Sequence, residues 1–173
     1  MKDNVIIITG AAMGLGLATA EYLVEKGAKL VLVDYNGEAL EDAVKKLKDI
    51  NADVELLTVE ADVSNEEAVK NYVEKTVETF GRIDGFYNNA GIEGKQAPLT
   101  EYDQEVFKKV IDINLMGVYY GMRYVIPVMQ KQNYGKIVNV ASVGGIRGVA
   151  NQTAYVASKH AVSGMTKNAA LEY

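Results

Sequence analysis

The sequence predicts an α/β protein in which a doubly wound parallel sheet carries helices on both faces. Short runs such as "VIIIT" (5–9) are apolar without alternating with polar residues, which is typical of strands covered on both sides. Longer stretches with helical periodicity separate these runs. Strands that alternate with helices in this way form a parallel sheet, because each helical crossover returns the chain to the same starting edge.

The first half of the chain divides into three strand–helix pairs. Runs rich in valine, isoleucine and leucine predict the strands. A glycine follows two of the helices and marks their ends, since glycine readily adopts the left-handed conformation found there. In chain order the elements are strand 4–9, helix 15–26, strand 29–34, helix 37–49, strand 54–59 and helix 65–80.

The second half repeats the alternation with longer connections. The run "DGFYNN" predicts a fourth strand, and a loop with Gly91, Gly94 and Pro98 follows it. The next helix is long, and we expect a bend near Pro127 because proline removes a hydrogen bond from the helix interior. In chain order the elements are strand 84–89, helix 103–132, strand 135–142, the glycine-rich loop 143–151 and a helix from about 152.

The composition excludes several classes of function. A net charge of −5, without a cluster of Lys and Arg, argues against a nucleic-acid partner. The chain has no cysteine and one histidine, His160, so we expect no disulfide, zinc–thiolate site or other metal site. The apolar run 5–8 is too short for a signal-peptide core or a membrane span. We therefore expect a single cytoplasmic domain over 1–173 with no membrane partner.

A glycine-rich turn, "TGAAMGLG" (9–16), follows the first strand. Its spacing is G-x-x-x-G-x-G, with glycines at 10, 14 and 16. Glycines allow the backbone to approach a diphosphate, and the start of the next helix offers free N–H groups to the phosphates. The alternative is a strand-to-helix turn with glycines that serve packing alone. The candidate cofactor-binding residues here are Gly10, Ala12, Met13, Gly14, Leu15 and Gly16.

Asp34 ends the second strand, 18 residues after Gly16. A carboxylate at this place accepts hydrogen bonds from the adenosine ribose and repels a 2′-phosphate. No Lys or Arg stands at 13, 35 or 36 to offset that repulsion. We therefore predict NAD rather than NADP, with Tyr35 beside the ribose. The alternative for Asp34 is a solvated strand-end carboxylate.

The third and fourth strands also end in small or polar residues, in "ADV" (61–63) and "NNAG" (88–91). Each is a weak signal alone. Together they mark one sheet edge, because ligands of open parallel sheets bind outside the carboxyl ends of the strands. Asp62 and Val63 are candidates for the adenine edge. Asn89, Ala90 and Gly91 are candidates for the pyrophosphate and nicotinamide ribose.

The motif Tyr-x-x-x-Lys occurs twice, at Tyr22–Lys26 and at Tyr155–Lys159. Tyr22 lies inside the helix that packs back along the first strand. Tyr155 follows the loop that leaves the fifth strand, at the edge where ligands bind. We therefore assign the catalytic role to Tyr155–Lys159 and interpret Tyr22–Lys26 as a surface pair of a helix.

The stretches "TGAAMGLG", "NNAG" and "YVASK", together with Asn114 and Ser142, resemble the signature residues of the short-chain dehydrogenase/reductase family in order and spacing. The resemblance covers essentially the whole chain. It implies a Rossmann-type fold and an NAD-dependent enzyme that interconverts a ketone and a secondary alcohol. It also implies a homo-oligomer, a dimer or tetramer, formed through the long helix and the last helix.

The resemblance assigns a role to each of four catalytic candidates. Tyr155 exchanges a proton with the substrate, and Lys159, on the same helix face, favours the phenolate form of Tyr155. Lys159 also binds the nicotinamide ribose, and Ser142 hydrogen-bonds the substrate oxygen. Asn114 holds a water in a proton relay, although a solvent-facing asparagine is the alternative. The candidate substrate-binding residues are Ser142, Tyr155, Glu93 and Gln152.

A rival function is a nucleotide-sensing or inactive protein of the same fold. Such a protein is expected to have lost Ser142, Tyr155 or Lys159, and all three are present. The substrate stays open among cyclic diketones, sugars, acyl thioesters and acetoin-like ketones.

The resembled family continues beyond the helix that carries Tyr155, with two further strands and a segment that covers the substrate. We therefore expect a truncated or partly ordered portion of a longer enzyme, without the C-terminal strands. In such a portion the fifth strand is an exposed apolar edge, NAD binding is weak, and turnover is low.

Overall fold

Five parallel strands form one sheet in the computed structural model, which describes all residues 1–173. They are β1 (Val5–Thr9), β2 (Lys29–Asp34), β3 (Leu56–Glu60), β4 (Gly85–Asn88) and β5 (Lys136–Asn139). Their order is β3-β2-β1-β4-β5, and every pairing is parallel. The order reverses between β1 and β4, and in doubly wound sheets ligands bind at such a reversal.

Six helices cover the sheet. They are α1 (Gly14–Glu25), α2 (Gly37–Ile50), α3 (Glu66–Phe80), α4 (Gln104–Ile111), α5 (Gly117–Lys131) and α6 (Thr153–Glu172). Asn36 and Asn65 cap α2 and α3, since each side chain accepts a hydrogen bond from the N–H three residues on. Gly81 ends α3 in the left-handed conformation, with φ 74°. None of the helices combines the length and apolarity that crossing a bilayer requires.

Two apolar clusters lie on opposite faces of the sheet. Val5 and Ile7 belong to the cluster that packs against α3 and α5, and Ile6 and Ile8 belong to the one against α1 and α2. Successive residues of β1 therefore face opposite sides, and all are buried. This arrangement confirms the predicted doubly wound sheet with helices on both faces.

The exposed edge predicted for the fifth strand is confirmed, and the third strand, at the other edge of the sheet, is also less buried than the central strands. β5 is an edge strand, and Val138 within it is 56% exposed. Thr58 of β3, at the opposite edge, is also exposed. An edge strand lacks a neighbour on one side, so its own composition does not guarantee that its faces are covered.

The predicted single helix 103–132 is interrupted. A π-helical turn at Asp112–Met116 separates α4 from α5, well before Pro127, which lies inside α5. Turns of this kind are rare and often occur at functional sites. The fifth strand also ends earlier than predicted, at Asn139, and Ser142 instead begins a short 3-10 turn at Val143–Gly145.

Candidate active site

A cleft of about 610 Å³ lies at the carboxyl ends of the strands. Most of the predicted site residues line it: Gly10, Met13, Leu15, Asp34, Tyr35, Asp62, Val63, Asn89, Ala90, Gly91, Glu93, Tyr155 and Lys159. A second groove, of about 770 Å³, lies between α2 and β3. That groove contains none of the predicted residues, and half of the residues that line it are charged, so the cleft is the candidate site.

Six predicted residues do not line the cleft: Ala12, Gly14, Gly16, Asn114, Ser142 and Gln152. Ala12 and Gly16 are the buried residues of the glycine-rich turn among these six. Gly16 packs directly on the carbonyl of Gly10, where an added Cβ would overlap the oxygen. Gly10 and Gly14 have φ values of +64° and +56°, in the left-handed region that favours glycine.

Asp34 is buried, with 6% of its surface exposed. Its Oδ2 accepts a hydrogen bond from the N–H of Ala12 at 3.0 Å, and its Oδ1 accepts one from Asn36 at 3.1 Å. The carboxylate therefore joins the glycine-rich turn to the end of β2, and a solvated strand-end role is wrong. Each carboxylate oxygen accepts more than one hydrogen bond, so a ribose hydroxyl still has an acceptor.

Thr9 holds the "NNAG" segment against the glycine-rich turn. Its Oγ1 accepts hydrogen bonds from the N–H groups of Asn89 and Ala90, both at 3.0 Å. The Asn89 side chain bonds to the same segment, since its Nδ2 donates hydrogen bonds to the carbonyls of Thr9 at 3.0 Å and Gly10 at 3.3 Å. Thr9 was not among the predicted site residues, although a threonine that ends an apolar strand is a local signal in the sequence.

Tyr155 and Lys159 lie one turn apart at the start of α6. The Lys159 ammonium is 5.6 Å from the centroid of the Tyr155 ring. Lys159 is 4% exposed, and its Nζ donates to the carbonyl of Val140 at 2.7 Å. Burial lowers the pKa of Lys159. The fold therefore holds a buried cation beside the phenol, at the end of β5.

Asn114 is fully buried in the π-helical turn. Its Oδ1 accepts from the N–H of Ile92 at 2.8 Å, and its Nδ2 donates to the Ile92 carbonyl at 2.8 Å and to Ser158 Oγ at 3.2 Å. A solvent-facing Asn114 is therefore wrong. The amide joins the π-helical turn to the loop after β4 and to α6.

Ser142 and Gln152 flank the cleft. Ser142 Oγ accepts from the N–H of Gly144 at 3.1 Å, and a Cβ added to Gly144 would lie 3.5 Å from the Tyr155 ring. The turn that begins at Ser142 therefore packs on Tyr155. Gln152 Nε2 donates to Glu93 Oε1 at 3.2 Å, so these two side chains meet at the mouth of the cleft.

Tyr22 and Lys26 lie outside the cleft, on α1. Tyr22 is 57% exposed, and the Lys26 ammonium lies 5.0 Å from the centroid of its ring. Cation–π pairs of this exposure contribute about 0.5–1 kcal/mol. No group of three or more His, Cys, Asp or Glu side chains is placed to bind a metal ion.

Comparison with known proteins gives a family match over nearly the whole chain. Residues 4–173 match the family model described as short chain dehydrogenase. The chain is 52% identical over 171 residues to levodione reductase of Leifsonia aquatica, covering 99% of this chain and 64% of that protein. It is 39% identical over 172 residues to cyclohexanol dehydrogenase of Acinetobacter sp. (strain SE19), covering 99% of this chain and 68% of that protein.

A solved structure gives the same result. The crystal structure of NAD⁺-bound xylitol dehydrogenase matches with a TM-score of 0.95 and 41% sequence identity, over 99% of this chain and 65% of that chain. The chain thus spans slightly less than two thirds of the length of levodione reductase and of the crystallised xylitol dehydrogenase.

Proposed function

The chain belongs to the short-chain dehydrogenase family, and from that premise we propose that it transfers hydride between NAD(H) and a ketone or secondary alcohol. The observation that carries this proposal is the buried Lys159 ammonium beside Tyr155, in a cleft that also contains Asp34. A cation beside a phenol favours the phenolate, which is the form that accepts a proton from an alcohol.

The residues of the cleft fit NAD. Asp34 presents carboxylate lone pairs to a ribose, and the close packing of Gly16 on Gly10 brings the backbone to where a diphosphate binds. Asp62 and Val63 are proposed to hold the adenine, and Asn89, Ala90 and Gly91 the pyrophosphate and nicotinamide ribose. The preference for NAD over NADP rests on the negative charge of Asp34. When bound, NAD(H) supplies the hydride acceptor or donor.

In the proposed mechanism Tyr155 moves the proton at the substrate oxygen. Ser142 donates a hydrogen bond to the same oxygen and orients it. Asn114 keeps the relay role that the family resemblance assigns to its position.

The substrate that fits best is a small cyclic ketone or its alcohol. By their names, the relatives reduce levodione and oxidise cyclohexanol. Glu93 and Gln152 offer a carboxylate acceptor and an amide donor at the mouth of the cleft. We propose that they bind a second oxygen of the substrate, remote from the one that reacts.

We also propose that the protein acts as a homo-oligomer in the cytoplasm, through the α4–α5 helices and α6. Ala157 and Gly164 on α6 are small and exposed, so a second helix could approach closely. Sedimentation velocity decides the oligomeric state, and a monomer at micromolar concentration contradicts this part of the proposal.

An NADH absorbance assay with a panel of cyclic and open-chain ketones tests the function. We expect turnover with NADH that is fastest for six-membered cyclic ketones, and much slower turnover with NADPH. Binding of NADH without turnover of any ketone, or of any alcohol with NAD⁺, contradicts the proposal. That result favours the rival, a nucleotide-sensing or inactive protein of the same fold.

A further inference from the structure

Ser158 lies between Tyr155 and Lys159 and is fully buried. Its Oγ donates to the carbonyl of Tyr155 at 2.8 Å and accepts from Asn114 Nδ2 at 3.2 Å. Hydroxyl bonds to the carbonyl of the preceding turn are common in helices. The second bond is different, because it reaches across to the π-helical turn, 44 residues away.

Asn114, the partner of Ser158, also bonds to the loop that lines the cleft. Asn114 holds both backbone groups of Ile92, which lies between two cleft residues, Gly91 and Glu93. Three segments are therefore joined through a single buried amide: α6, the π-helical turn and the loop after β4.

The packing around this amide leaves little room for movement. A Cβ added to Gly91 would lie 3.1 Å from Asn114 Oδ1 and 3.6 Å from Lys159 Nζ. A shift of Asn114 therefore changes the contact between the loop and Lys159. Loss of the Ser158 hydroxyl removes one of the two hydrogen bonds that Asn114 Nδ2 donates, and buried donors are costly to leave unpaired.

We propose that Ser158 is a positioning residue, which acts through Asn114 to hold the Tyr155–Lys159 turn of α6 in register with the loop at Ile92. Its effect on turnover rests on the proposed function. Its effect on the loop does not.

The test compares Ser158→Ala with a matched control, Ser163→Ala. Ser163 Oγ also bonds a carbonyl of the same helix, that of Lys159 at 3.1 Å, but no side chain of another element bonds to it. The measurements are kcat, KM for NAD⁺ and hydrogen exchange at the backbone N–H of Ile92. That N–H donates a hydrogen bond to Asn114 Oδ1. Ser158→Thr, which keeps the hydroxyl, serves as the rescue variant.

In Ser158→Ala we expect kcat to fall by about tenfold, since small misplacements of reacting groups are costly. KM for NAD⁺ should change less than about twofold, because Ser158 does not line the cleft and its loss acts on the placement of the reacting groups, which is expressed in kcat. Exchange at Ile92 should become faster, because local opening becomes easier. Ser163→Ala should match the unaltered protein, and Ser158→Thr should recover at least part of the lost kcat.

Unchanged exchange at Ile92 in Ser158→Ala overturns the proposal, as does faster exchange with an unaltered kcat. A loss of kcat that Ser163→Ala reproduces also overturns it, because the effect is then a general one of helix α6. If the unaltered protein turns over no substrate, the proposed function fails, and the exchange data alone decide whether Ser158 holds the loop.

Discussion

At the scale of single residues, Asp34 has both a structural role and a proposed role in cofactor binding. Its carboxylate accepts hydrogen bonds from Ala12 and Asn36, and it lines the cleft where the adenosine ribose is proposed to bind. A change at Asp34 therefore alters both cofactor choice and the glycine-rich turn. The neighbouring Tyr35 is 73% exposed and has no such structural task.

Tyr35→Arg is expected to raise kcat/KM for NADP by about tenfold, because a charged hydrogen bond to phosphate is worth roughly 1.5–3 kcal/mol in part-exposed sites. NAD should stay preferred while Asp34 is present. Adding Asp34→Ser should move the preference to NADP but also lower the Tm, since two N–H groups lose their acceptor. Equal kcat/KM for both cofactors in the unaltered protein contradicts the role of Asp34.

The buried ammonium of Lys159 is expected to lower the free energy of unfolding, although the proposed function requires it. Burial lowers its pKa, so between that lowered pKa and the ordinary value of 10.5 the unfolded chain binds more protons than the folded one. The free energy of unfolding therefore rises with pH in this window, and the cost of burying the charge is greatest below it.

Lys159→Met should abolish turnover and raise the Tm at pH 7, with a gain that shrinks as the pH approaches 10.5. Thermal melts over a pH series measure this. Lys26→Met, at the exposed pair on α1, is the matched control and should change neither property. A lower Tm for Lys159→Met at pH 7 contradicts the expected cost of the buried ammonium.

Residues that the sequence identified share one property. Asp34 and Asn89 stand at or just after strand ends, and Tyr155 stands at the start of the helix after β5, so their positions follow from the alternation of strands and helices. Thr9 and Ser158 were missed because their partners are distant in sequence: Thr9 bonds Asn89 and Ala90, and Ser158 bonds Asn114. Hydrogen bonds between such segments leave no periodic signal.

At the scale of elements, the π-helical turn was the feature that sequence periodicity did not show. One extra residue in a turn changes the periodicity too little to detect, and the sequence therefore predicted a single helix. The polar Asn114 in an apolar stretch was the only local signal, and its cause became clear from its bonds to Ile92.

The glycine-rich turn shows how two glycines of one element differ. A Cβ at Gly16 would overlap the carbonyl oxygen of Gly10, which is backbone and has no rotamer to change. A Cβ at Gly14 would meet no heavy atom within 4 Å, so only its φ of +56° resists substitution. Left-handed backbone at a residue with a Cβ costs about 1–2 kcal/mol.

Gly16→Ala is therefore expected to raise the Kd for NADH at least about tenfold, because the displaced turn no longer fits a diphosphate. Gly14→Ala should lower the free energy of unfolding by about 1–2 kcal/mol and leave the Kd within a few-fold of the unaltered protein. Fluorescence titration and urea unfolding measure the two effects. Tight NADH binding by Gly16→Ala contradicts the assignment of this turn to the cofactor.

At the scale of the whole molecule, the sequence predicted the parallel sheet, its two helical layers and the exposed edge at the fifth strand, but not the exposure of the third strand. Burial of β1 and β2 follows from their position in the middle of the order β3-β2-β1-β4-β5. That order depends on pairing between distant strands, and the sequence of β3 alone does not show that it lies at the other edge.

The position of a residue in the whole fold also decides between the two Tyr-x-x-x-Lys pairs. Both place a lysine ammonium within 6 Å of a tyrosine ring, at 5.0 Å for Tyr22 and 5.6 Å for Tyr155. Only the second pair lines the cleft and has a buried lysine. The local motif is the same, and its surroundings differ.

The most direct test of the proposed chemistry is NADH-linked turnover of Tyr155→Phe and Tyr22→Phe, measured beside the Kd for NADH of each variant. We expect Tyr155→Phe to lose at least about 100-fold in kcat, the scale of general acid–base catalysis, with a Kd for NADH close to that of the unaltered protein. Tyr22→Phe should match the unaltered protein in both measurements. Turnover by Tyr155→Phe at the unaltered rate, or an equal loss in both variants, would contradict the account.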